Sequence, residues 1–354
     1  MPCGLGRSSI DASSLLCVCD VAFLVGLFVG PHAFSVVGML AKAPSWTIAT
    51  LWQSLLSASP KCIYVLGGYT SDDHRLGSVE RLNLSTGAWE AVPPLASCRG
   101  GAAAATLAGR IYVCGGCVEH HVVLSSVERF DPVQGAWEAI GPMMLARQGA
   151  SAAVICDTLR ICGGWGEQDA PLDCTEELAG GIVGMGPWRL GDVCLLEPRS
   201  WAAAGTVDSQ LLICGGQNRN DPLNSAECIN FAASCVRRLP PMLEKRSAPS
   251  AAVSHGRLYV AGGWDENRQN LRTVECFDPH LEAWEYVAQM VLRRFGAAAC
   301  SSSGGIYIFG GYEEDDVDAC LKSSEHLDVV SVEWALATPM RVPRSGAVAV
   351  SMWA

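Results

Sequence analysis

The chain has 354 residues, a net charge of −11, 49% hydrophobic residues and only 17% charged ones. With no basic excess to release counterions, a nucleic-acid backbone is excluded as a partner. An acidic surface favours basic or neutral protein partners instead.

Residues 1–60 form an apolar N-terminal extension without repeat signals. From Val21 to Leu40 there is no Asp, Glu, Lys or Arg, and Val21-Ala22-Phe23-Leu24-Val25-Gly26-Leu27-Phe28-Val29 is strongly apolar. The stretch is barely long enough to span a bilayer, and Pro31 and His32 interrupt it. Arg7 ahead of it suits a signal or signal anchor. Three readings stand together: a membrane or secretory segment through residues 21–40, an apolar segment packed on something else, and a disordered or spuriously translated extension.

Six Gly-Gly pairs follow, starting at Gly67, Gly115, Gly163, Gly215, Gly262 and Gly310, at steps of 48, 48, 52, 47 and 48 residues. That period is one of propeller blades. Most pairs close a β-rich run such as Ile63-Tyr64-Val65-Leu66 or Ile111-Tyr112-Val113-Cys114. Two glycines there supply a bend and side-chain-free space where backbones crowd. Each unit continues with a half-buried strand carrying a Glu (Glu80, Glu128, Glu176, Glu227, Glu275, Glu325), then turn chemistry such as Asp131-Pro132. A further strand opens at Trp89, Trp137, Trp188, Trp284 or Trp334, with Val236 in the fourth unit. Last comes an Arg (Arg99, Arg147, Arg199, Arg246, Arg294, Arg344) and a small-residue strand. Four short strands per period describe an antiparallel blade. The final unit ends on such a strand, Gly346 to Ser351, with no blade after it, and the first unit lacks one. Joining the ends predicts an all-β, six-bladed β-propeller over residues 61–354, closed by the C-terminal strand, with no exposed sheet edges at the join.

Gly-Gly, Val-Glu-Arg-Phe-Asp-Pro, a Trp six residues before Pro-Met, and Arg-x-Gly together resemble the kelch motif across about five sixths of the chain. Pro339-Met340-Arg341-Val342-Pro343-Arg344-Ser345-Gly346 is most similar to the propellers of kelch-like substrate receptors of cullin ubiquitin ligases. That resemblance implies a protein-interaction module and a possible place for this chain in substrate adaptation. The BTB and BACK domains of those receptors do not fit in the sixty residues ahead of the repeats.

The loops after Gly-Gly are polar and uneven in length, the usual place for a propeller to bind. The six arginines enter the inner strands on that side, so they are expected to crown one end of the channel and pair with carboxylates of an acidic peptide. The opposing reading makes them fold residues bonding turn carbonyls. Tyr69, Trp165, Trp264 and Tyr312, directly after Gly-Gly, are candidate binding anchors, with packing at strand ends as the alternative. Glu313-Glu314-Asp315-Asp316 reads as a solvated loop. Trp89, Trp137, Trp284 and Trp334 read as core residues.

Seventeen cysteines suggest disulfides until their positions are read. Cys114, Cys162 and Cys214 share one repeated place before Gly-Gly and are expected as small core residues, which with the odd count favours a reducing compartment, the cytoplasm. Cys114-x-x-Cys117 with His120-His121 is read as a core Cys beside a solvated loop, so no metal or cofactor is expected. The competing function is a propeller enzyme of the galactose oxidase or sugar epimerase kind. The oxidase chemistry needs two His ligands and Tyr ligands, one linked to a Cys, and no such constellation is legible, so no catalytic residue is assigned.

Overall fold

The computed structural model describes residues 62–178, 186–219, 221–313 and 320–352. The readings for residues 1–60, including the span 21–40, and for residues 314–316 fall outside them. Among the described residues no helix is long and apolar enough to cross a membrane. The propeller lies in a compact unit, Ser59–Ala354.

Six four-stranded antiparallel sheets form the blades. In the second, Ala103–Leu107 is innermost, followed outward by Arg110–Cys114, Val127–Asp131 and Ala136–Ile140. The first blade takes its innermost strand from the end of the chain: Val348–Met352 pairs with Cys62–Leu66, Cys62 opposite Met352 and Leu66 opposite Val348. Its inner strand then packs against those of the second and sixth blades, which completes the ring. The small residues of the inner strands allow this crowding at the axis.

The core is divided among the seams between blades. Six buried clusters correspond to six seams; one joins Tyr64, Leu66 and Val350 of blade 1 to Ile111, Val113 and Phe130 of blade 2. The seam between blades 3 and 4 is the leanest, with Ile155, Val193, Leu195, Leu211 and Ile213 but no aromatic residue among its buried members. Trp residues tie the remaining seams: Trp137 Nε1 donates to Pro93 O (2.8 Å), Trp188 to Gly141 O (3.0 Å), Trp284 to Pro240 O (2.9 Å), Trp334 to Ala288 O (2.7 Å) and Trp89 to Thr338 O (2.9 Å). Blade 4, with Val236 at this place, has no such tie.

Gly67 shows why the Gly-Gly pair recurs. Its φ is +61°, and a Cβ there would stand 2.5 Å from the carbonyl oxygen of Arg99. Only glycine accepts both the left-handed backbone and that approach. Cys114, Cys162 and Cys214 are buried as expected, and burial pushes the Cys162 and Cys214 thiols up to about 12.

Candidate functional site: the mouth of the channel

The arginines define the seams and not the mouth. Arg99 sits in the turn leading from blade 1 to blade 2. Its backbone bonds to blade 1, accepting from Gly68 N–H (2.9 Å) and donating to Leu76 O (3.1 Å). Its side chain enters blade 2, where Nη1 donates to Gly115 O (2.9 Å) and Ser126 O (3.1 Å), and Nη2 to Ser126 Oγ (3.1 Å) and Glu128 (2.6 Å). Glu128 also accepts from the backbone N–H groups of Ala96 (2.7 Å) and Ser97 (3.1 Å). The same clamp recurs as Arg147–Glu176, Arg199–Glu227, Arg246–Glu275, Arg294–Glu325 and, across the ring closure, Arg344–Glu80.

The expectation that Arg99, Arg147, Arg199, Arg246, Arg294 and Arg344 meet a partner is therefore corrected. All six are at most 1% exposed, and their Nη donors are taken by carbonyls, hydroxyls or a thiol, and carboxylates. The physical reason lies in the glutamates: a carboxylate in a blade interior requires a cation. Burial pulls the Arg294 and Arg344 guanidinium groups downward while Glu325 and Glu80 oppose it, and both stay charged.

The residue two past each Arg builds something not foreseen. Gly101, Gly149, Trp201, Ala248, Gly296 and Gly346 all have φ between 48° and 63°. Each backbone N–H donates to the carbonyl of the preceding blade's equivalent: Gly149 to Gly101, Trp201 to Gly149, Ala248 to Trp201, Gly296 to Ala248, Gly346 to Gly296 and Gly101 to Gly346, at 2.6–3.1 Å. The result is a closed ring of six hydrogen bonds around the channel.

Four positions are glycine, as this backbone demands. Trp201 is not, and holding a bulky L-residue there costs on the order of 1–3 kcal/mol. Its indole lies across the ring, where a Cβ on Gly149 would stand 2.8 Å from it and one on Gly101 2.6 Å. The neighbouring glycines are thus the space into which Trp201 folds.

Above this floor opens a cavity of ≈ 330 Å³. Tyr69, Trp201, Trp264, Phe295 and Tyr312 give it an aromatic wall, and Gln148, Gln217 and Ser247 add neutral polar groups. The polar side is pre-oriented: Gln148 Nε2 donates to Tyr69 Oη (2.9 Å) and Ser247 Oγ to Gln217 Oε1 (2.9 Å). Of the four aromatic residues expected from the sequence, Tyr69, Trp264 and Tyr312 come together here. Trp165 lines a neighbouring depression with His121, Gln148 and Asp169. Trp201 and Phe295 were missed; the signal available was that they break a run of small residues after the repeated Arg.

Tyr69 stands where two blades meet. Arg75, itself buried, lies over its ring at 5.1 Å, and its hydroxyl is 3.3 Å from Cys117 Sγ. Burial, and then the Cys117 thiol, hold the Tyr69 phenol above its ordinary range. A Tyr–Cys contact thus exists that the sequence did not reveal. Among the described residues, no group of three His, Cys, Asp or Glu is placed to hold a metal.

The fold and the mouth define a class: a closed ring scaffold with buried ion-pair clamps, presenting variable loops around a preformed aromatic cavity. The kelch motif model matches residues 56–96, 98–144, 198–243 and 245–291, about half of the chain. The chain belongs to the kelch-repeat family. It is 33% identical over 91 residues to an F-box/kelch-repeat protein of Arabidopsis thaliana, covering 26% of this chain and 24% of that one. It is 36% identical over 85 residues to kelch repeat and BTB domain-containing protein 2 of cowpox virus (23% and 15%), and 31% identical over 81 residues to human kelch-like protein 23 (23% and 14%). The matches span about a quarter or less of these relatives' own length. Among solved structures, YjhT superposes with a TM-score of 0.68 at 13% identity, over 79% of this chain and 95% of that one, a likeness of fold.

Proposed function

We propose that the protein is a non-catalytic interaction module whose channel mouth binds a short segment of a protein partner, with an apolar side chain stacked on Trp201. The observation that carries this reading is Trp201 itself: a strained, half-buried indole laid across a cavity with aromatic walls. Strain of this kind persists where surrounding structure enforces it, and such sites are commonly functional. Trp and Tyr are also the side chains that most often anchor interfaces.

The chemistry of the partner follows from the arginines' removal into the seams. What remains exposed in the loops around the mouth is more acidic than basic: Asp72, Asp73, Glu119, Glu167, Asp169, Asp221 and Glu266 stand against Arg219, Lys245 and Arg268, with Glu266 paired to Lys245 and Asp73 to Arg75. An acidic peptide fits poorly there; a segment with basic residues flanking an apolar anchor fits well. The family resemblance supports a finer role as substrate receptor of a cullin-type ubiquitin ligase, with another protein supplying the cullin-binding part. We place the protein in the cytoplasm, since its repeated cysteines serve as core residues.

A random peptide library selected on the full chain tests the reading. Selected peptides should carry an apolar residue beside Lys or Arg, and Trp201→Gly should weaken them by about 2 kcal/mol, roughly thirtyfold. Peptides bound equally by the Trp201→Gly protein would overturn the assignment. The enzyme reading has one foothold, the Tyr69–Cys117 contact; metal analysis of purified protein with a sugar oxidation assay decides it.

A further inference from the structure

In five blades the clamp's Nη2 donates to a hydroxyl: Ser126, Ser225, Thr273, Ser323 or Ser78. In blade 3 the acceptor is instead Cys174 Sγ, 3.1 Å from Arg147 Nη2. The outer strand of this blade is also exceptional. Trp188–Cys194 has seven residues where the others have five, and its register shifts between Cys174 and Glu176. The extra residues form a bulge, filled by Thr175 Oγ1 donating to Val193 O (2.6 Å), and a Cβ on Gly191 would collide with that hydroxyl. The bulge brings a second cysteine, Cys194, directly opposite Cys174.

We propose that Cys174 and Cys194 are a reversible thiol pair, closed to a cross-strand disulfide by hydroperoxide-class oxidants. Directly paired antiparallel residues have Cα atoms about 4.5–5.5 Å apart, inside the range a disulfide spans. Cys194 is exposed and its cross-strand partner Cys174 half-buried, which gives each a part. The Cys194 thiolate attacks the peroxide O–O bond, forming a sulfenic acid as one oxygen leaves as water. The Cys174 thiolate then attacks that sulfur, the S–S bond forms, and the second oxygen leaves as water. Two thiols and one hydrogen peroxide give one disulfide and two waters. Burial, the Asp173 carboxylate and Cys174 hold the Cys194 thiol above its ordinary range, so the reaction is slower than at an activated thiolate.

The consequence is local. Once in the disulfide, Cys174 Sγ is drawn from Arg147, whose neighbour Gln148 lines the mouth. Val193 and Leu195, on either side of Cys194, are buried in the lean seam between blades 3 and 4. Oxidation therefore acts where the ring has least apolar packing.

The test treats the native full chain with hydrogen peroxide, alkylates remaining thiols and maps the peptides. The expected product links Cys174 to Cys194 with the loss of two hydrogens and reverts with dithiothreitol. Cys174→Ser, which installs the residue found in four of the other five blades and so preserves the clamp, should abolish the link and leave the melting temperature unchanged. Cys194→Ser should abolish it too. Full alkylation of both cysteines after oxidation, or a link from either to a different thiol such as Cys162, would overturn the proposal.

Discussion

Arg294→Ala separates the two roles an arginine of the repeat could have. Arg294 donates from Nε and Nη2 to Glu325 (3.0 and 2.8 Å), from Nη1 to Gly310 O (2.6 Å) and Ser323 O (3.1 Å), and from Nη2 to Ser323 Oγ (3.0 Å). Removing it strands a fully buried carboxylate. Breaking one side of such a pair costs about 3–5 kcal/mol. For a propeller of this size that lowers the melting temperature by roughly 5–8 °C. Glu325→Gln also destabilises: the Val291 N–H bonds Oε2 (2.7 Å) while the Leu292 N–H (3.1 Å) and Arg294 bond Oε1, so with a single amide oxygen one side faces the amide NH2 and the guanidinium loses its counter-charge. The double variant should lose less than the sum of the two single ones. The assay is thermal and urea unfolding of all three, with peptide affinity measured on the folded fraction. The account expects a large stability loss and unchanged affinity. Wild-type stability together with reduced affinity for Arg294→Ala would refute it.

Truncation from Arg344 onward removes both the closing strand and the Arg344–Glu80 clamp, so the melting temperature should fall far more than for an ordinary tail; an unchanged value would rule out closure. Hydrogen exchange should be fastest along the seam of blades 3 and 4, which lacks the Trp tie and buried aromatics, and uniform exchange over all seams would contradict that ranking. Trp201→Gly should leave the unfolding free energy within about 1 kcal/mol of wild type in urea titration, since relief of the left-handed strain offsets lost packing. In native alkylation at neutral pH, exposed Cys98 and Cys156 should react while Cys162 and Cys214, held at about 12 by burial, should not; equal labelling would show a looser core.

The scaffold was legible because a propeller repeats its constraints. Gly67 and its equivalents mark the approach of an Arg carbonyl, and the unfinished first and last units pointed to closure. The arginines were equally visible and misdirected. The sequence shows an Arg and a Glu in every unit at a near-constant separation, but the Arg lies in the turn between blades and the Glu in a strand of the next blade, and only the fold reveals that they meet. Six carboxylates in strands of high apolar content were the clue, since each needs a cation in the same blade wall. Trp201 was illegible for the opposite reason. It occurs once, and its importance comes from a ring of backbone hydrogen bonds that no local pattern encodes. The Cys174–Cys194 pairing depends on a bulge, which sequence spacing registers only as a longer third unit.

The most direct test of the central claim is a hydrogen-exchange footprint of the full chain with a selected peptide bound. The account predicts protection at the channel mouth, in the segments holding Tyr69 to Arg75, Trp201, Trp264 and Tyr312, while the seam clamps exchange as before. Protection confined to the hairpin turns at Ser85 to Gly87, Asp131 to Gly135 and Asp278 to Glu282, with the mouth unchanged, would contradict it.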